Sequence, residues 1–150
     1  MKKIAGFTLT EMVVALAIVG LLVVTARPFY KIYQVKTNRS TTQAELTRIA
    51  QVLHSHKVQN GDFSGAKPFV DGISSISFPA LKPTYTIGLQ LTNNNSTGVK
   101  AQGFVLTATP VVRSVQALDG VICINNYGNH YWVLGSKSCA LTEKTTWYGE

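Results

Sequence analysis

The sequence predicts an α+β fold, with one long N-terminal helix laid across a small antiparallel sheet. Three observations carry this. Residues 7–26 form an apolar run with a single charge, Glu11. Apolar residues then recur at helical spacing as far as Asn60-Gly61. From Tyr85 onward, short alternating stretches are separated by turn residues. The length of 150 residues leaves room for one domain. Hydrophobic residues make up 45% and charged residues 14%, against about 25% charged in an average soluble domain. There is ample apolar surface to bury, which excludes a disordered chain. Two cysteines exclude a disulfide-dense miniprotein and a four-thiolate zinc site.

The first element is Phe7–Ala26, FTLTEMVVALAIVGLLVVTA. Twenty helical residues span about 30 Å, the thickness of a bilayer core. Lys2 and Lys3 precede the run, and Arg27, Lys31 and Lys36 follow it, so counting positive charges gives no orientation. A plain membrane anchor and a signal peptide cut after Ala26 both fit the apolar length. Glu11 opposes both, because a carboxylate deep in lipid costs about 2.5–3.5 kcal/mol on insertion scales.

Gly6-Phe7-Thr8-Leu9-Thr10-Glu11, followed by an apolar helix, resembles the processing motif of type IV prepilins. The resemblance implies a leader of residues 1–6, cut by a prepilin peptidase after Gly6, and N-methylation of the new terminus at Phe7. Glu11 then becomes the fifth residue of the mature chain. In an apolar filament core an ammonium and a carboxylate are each costly alone and offset one another when paired. The family assigns Glu11 that role, pairing with the Phe7 amine of its own or an adjacent subunit. Thr10 departs from the family pattern, which favours an aliphatic residue there. Gly20 and Pro28 stand where type IVa pilins commonly carry helix-weakening residues, and the helix between them is expected to loosen on assembly.

Residues 7–34 are thus expected to be the transmembrane and filament-core half of the helix, and residues 35–150 the globular pilin domain. In the amphipathic half, Leu46, Ile49, Ala50 and Leu53 fall on one face. A helix from Phe7 to Asn60 measures about 80 Å, too long for one small core to bury. Its first half must lie in lipid or against other subunits.

Residues 61–82, with Gly, Ser, Pro and Asp, read as a connecting αβ-loop. A sheet of about four strands is expected over 83–135. Its strands are Tyr85–Leu91, Gln102–Thr109 stopped by Pro110, Val121–Asn125, and His130–Leu134. Asn93–Gly98 is the first turn and holds an Asn94-Asn95-Ser96 sequon that a polar turn explains without modification. Phe104-Val105-Leu106-Thr107-Ala108-Thr109-Pro110 resembles a strand of PilE-type minor pilins. Asn38-Arg39, Ala44-Glu45-Leu46, Ile49-Ala50 and Asn60-Gly61-Asp62-Phe63 look like the same subfamily.

Cys123 and Cys139 lie 16 positions apart. For an exported pilin an even count reads as one disulfide bounding a C-terminal region over 123–139, with two free thiols as the alternative. No CxxC or nearby His pair supplies a metal site.

No catalytic residues and no cofactor are expected. His54 and His56 point to different faces of a helix. His130 sits at a turn, Ser136 and Ser138 lack a base at motif spacing, and the acids are scattered. No phosphate-binding or nucleophile motif occurs.

The resemblance therefore implies a structural minor subunit of a type IV pilus, supporting pilus biogenesis, twitching motility, adhesion or DNA uptake. It would be a single-pass inner-membrane protein before assembly and extracellular afterwards. Its partners would be other pilin subunits, the prepilin peptidase, the inner-membrane assembly platform and the membrane. Binding is the alternative. Without Lys2 and Lys3 the chain keeps 12 basic against 7 acidic residues, or +5. Lys100, Arg113, Lys137 and Lys144, with nearby aromatics, suit phosphate contacts and base stacking by a DNA receptor for transformation. A type II secretion pseudopilin shares the same N-terminal motif.

Overall fold

The computed structural model describes residues 6–66, 75–92 and 100–148, without the side chains of Ala26 and Pro28. The leader apart from Gly6, residues 67–74 of the αβ-loop and the Asn93–Gly98 turn with its sequon lie outside these residues. The chain forms two compact units, Met1–Gln34 and Val35–Glu150.

Helix α1 runs over Leu9–Asn60. It starts where Thr8 and Glu11 make a capping box. The Thr8 N–H donates to Glu11 Oε2 at 2.8 Å, and the Glu11 N–H donates to Thr8 Oγ1 at 3.3 Å. Thr8 Oγ1 also donates to Glu11 Oε2 at 2.8 Å. The helix ends at Gly61, whose φ of 84° and N–H bond to the Lys57 carbonyl (2.7 Å) form a left-handed cap. In the first unit the apolar side chains from Leu9 to Val24 are exposed in the single chain. Their burial has to come from lipid or from other subunits.

In the second unit α1 faces a five-stranded antiparallel meander, ordered β1-β2-β3-β4-β5. The strands are β1 Ser75–Phe78, β2 Tyr85–Thr92, β3 Gly103–Pro110, β4 Ile122–Asn125 and β5 His130–Trp132. The expected loop 61–82 therefore contains a strand, and the sheet has five strands where about four were expected. Ser75-Ile76-Ser77-Phe78 pairs with Gly88 to Tyr85 of β2. It is one of the two edge strands, and a four-residue alternation of serine with apolar residues is hard to tell from a polar loop.

Register places Ile87, Ala108 and Ile122 in one row, and Leu89, Leu106 and Ile124 in another. These face Leu46, Ile49, Ala50 and Leu53 of α1, and together with Phe63 and Phe104 they form the buried core, with Leu89 half-buried at its margin. Phe63 and Phe104 meet edge-on, with ring centroids 5.1 Å apart. The alternate residues Thr86, Gln90, Val105, Thr107 and Thr109 lie on the other sheet face. That face carries no charged side chain among the described strand residues.

Candidate assembly determinants and nucleic-acid interface

The Val35 end of the globular unit is tied together by one buried polar network. Asp119 sits in the connection between β3 and β4 with its side chain 1% exposed. Its carboxylate pairs with the Arg39 guanidinium through Nη2 and through Nε at 2.9 Å. It also accepts from the Tyr85 hydroxyl at 2.5 Å and from Gln116 Nε2 at 2.7 Å. Gln116 Nε2 donates in addition to the Val35 carbonyl at 3.0 Å, and Asn38 donates to Gln116 Oε1 at 3.4 Å. Arg39 lies over the Trp132 ring, 3.6 Å from its centroid, and Trp132 Nε1 donates to the Asp119 carbonyl. Burial first, and then the Asp119 carboxylate, push the Tyr85 hydroxyl well above its ordinary value, so it acts as a donor. One charge pair thereby locks helix, loop and sheet. In the sequence Asp119 reads as one of several scattered acids, since its ion-pair partner Arg39 is 80 positions away.

The Asn60 end is held differently. Asp62 accepts from the Ser64 N–H at 2.7 Å, and Lys100 approaches it at 3.6 Å. The bonds from Ser64 and then the nearby Lys100 lower the Asp62 carboxyl below its usual range. His54 packs edge-on against Phe63 and Phe104. His56 Nε2 lies 3.1 Å from the Ser64 carbonyl.

The C-terminal tail doubles back over the sheet. Cys123 of β4 is disulfide-bonded to Cys139. Thr107 Oγ1, opposite Cys123 in the register, lies 3.5 Å from Cys139 Sγ. The bond therefore belongs to the sheet face away from α1. Further along, Trp147 Nε1 donates to the Cys123 carbonyl at 3.2 Å, and its ring packs on His130.

The four cations expected to contact phosphates do not form one cluster. Lys100 lies just before β3 and Arg113 just after it, at opposite ends of a strand about 24 Å long. Lys100 is engaged by Asp62. Lys137 and Lys144 are exposed on the disulfide-anchored tail. Among the described residues no ion pair involves Arg113, Lys137 or Lys144.

A family described as "Type IV minor pilin ComP, DNA uptake sequence receptor" matches residues 28–126, about two-thirds of the chain. The chain belongs to the ComP family of type IV minor pilins. This corrects the PilE-type expectation. The residues that suggested PilE lie within the matched span, and they include the core positions Leu46, Ile49, Ala50, Phe63, Phe104, Leu106 and Ala108. The prokaryotic N-terminal methylation motif matches residues 1–26, as in pilin precursors that are anchored by an apolar helix and then processed. Comparison with curated proteins and with solved structures returns no match. As a member of the ComP family the chain is a structural, non-catalytic subunit. Among the described residues no group of His, Cys, Asp and Glu is arranged to hold a metal ion.

Proposed function

We propose that this protein is a minor subunit of a type IV pilus whose globular unit binds DNA. The observation that carries the reading is the ComP family match across residues 28–126. The unit Val35–Glu150 holds 10 basic and 6 acidic residues, and several of those acids are spent on internal pairs. We assign the phosphate contacts first to Lys137 and Lys144 on the anchored tail. Lys100 and Arg113, at the two ends of β3, are assigned smaller contributions. The counterion-release argument then makes affinity fall steeply with salt.

The chain reaches the pilus by cleavage between Gly6 and Phe7 and by pairing of Glu11 with the Phe7 amine. The Gly20–Pro28 stretch loosens as subunits pack. The protein sits in the inner membrane beforehand and on the extracellular pilus afterwards.

The test is fluorescence anisotropy with the full chain in neutral detergent and two duplexes, one carrying a candidate uptake sequence and one scrambled. Binding whose affinity drops on raising the salt, and which weakens for the Lys137→Ala, Lys144→Ala variant, supports the reading. No salt-dependent binding at low ionic strength refutes it.

A further inference from the structure

We propose that the Val35 end of the globular unit rests on the bilayer surface before assembly, with anionic phospholipid headgroups as its occupant. This rests on membrane anchoring by the apolar helix, not on DNA binding.

The surface is built from three connections. The turn between β1 and β2 exposes Leu81 completely (102%). The connection between β3 and β4 exposes Val112 and Leu118, each at 85%. After β5, Leu134 is exposed. Backbone bonds hold these segments side by side. The Val111 N–H donates to the Thr84 carbonyl at 2.9 Å, and the Val121 N–H donates to the Ser136 carbonyl at 3.0 Å. Gln116 fixes the same connection to Val35 of α1. A soluble surface seldom gathers so many exposed apolar side chains without a use.

Charge selects the occupant. Lys36, Lys82 and Arg113 are exposed at this end. Its carboxylate among the described residues is Asp119, which is buried and neutralised by Arg39. Apolar side chains among cations, with no free carboxylate among the described residues of these connections, are the composition of an interfacial membrane contact.

Chain length supplies the proximity. The apolar run ends at Ala26, and Val35 follows nine residues later. Nine residues reach at most about 32 Å even fully extended. Phe29, Tyr30 and Tyr33 lie between them, where aromatic side chains mark the headgroup level. While the span remains in lipid, the Val35 end is tethered no farther than about 32 Å from the end of the apolar run.

The test uses the full chain, one copy per nanodisc, in phosphatidylcholine alone or with phosphatidylglycerol. Millisecond hydrogen exchange is read over residues 79–84 and 111–118. The expected result is exchange at least fivefold slower in the phosphatidylglycerol discs, with the protection reversed by high salt. Arg113→Glu with Leu118→Asp should abolish it. Lys82→Glu, at a second exposed site, should weaken it if the double variant folds poorly. Equal exchange in the two lipids overturns the proposal. So does protection that arises only when discs carry more than one copy, which would make the surface a contact between subunits.

Discussion

Replacing Asp119 with alanine removes a buried carboxylate at the Val35 end and leaves three donors facing the gap. The Arg39 guanidinium loses its counter-ion while its side chain is only 17% exposed. The Tyr85 hydroxyl and Gln116 Nε2 lose their shared acceptor. Breaking a buried pair from one side costs about 3–5 kcal/mol. Partial exposure of Arg39 and its stacking on Trp132 favour the lower end, about 3 kcal/mol. For the 116 residues from Val35 to Glu150, the unfolding entropy is about 0.24 kcal/mol/K, so the midpoint should fall by about 12 °C. Both tryptophans, Trp132 and Trp147, lie in this unit, so intrinsic fluorescence follows its melting without interference from the apolar helix. The companion variant Asp119→Leu with Arg39→Met removes the unpaired charge and should recover at least half of the loss. A drop below about 4 °C for Asp119→Ala, or no recovery in the double variant, would refute the reasoning.

Three further outcomes are expected. Gly120→Ala should cost about 3 kcal/mol or more in thermal melts, because φ is 97° there and an added Cβ would overlap the Val133 carbonyl oxygen; wild-type stability would contradict this. Cys123→Ser with Cys139→Ser should cost about 3 kcal/mol and expose Lys137 and Lys144 to trypsin, read by the rate of tail cleavage. His130 is held below its usual value by burial beside Trp147, so folding favours its neutral form. Its contribution is complete above about pH 6.5 and is lost as the pH falls through the lower folded value. A His130→Phe variant should flatten that part of the melting-temperature profile, and an unchanged profile would remove His130 as its source.

What the sequence revealed was what is local. The helix stop at Asn60-Gly61 follows from one residue that tolerates a positive φ. The alternation of Phe104, Leu106 and Ala108 is a period-two signal that the strand obeys. The capping box is equally local, written in the sequence as Thr8-x-x-Glu11. Strand β1 was lost because serine alternating with two apolar residues carries little signal over four positions. The Asp119 network was invisible, since Arg39, Tyr85 and Gln116 are brought together only by the closed sheet. The same applies to the candidate DNA cations, because residue type marked Lys100 and Arg113 as alike and the length of β3 keeps them apart.

Strand β5, at the sheet edge opposite β1, has a further consequence. It is three residues long, the chain turns back at Gly135, and the tail is pinned by Cys139 and by Trp147 on His130. Bare sheet edges template pairing with neighbouring chains. In a fibre, subunits are held beside one another at a local concentration no solution reaches. A short rim with a pinned tail blunts the β5 edge against such pairing.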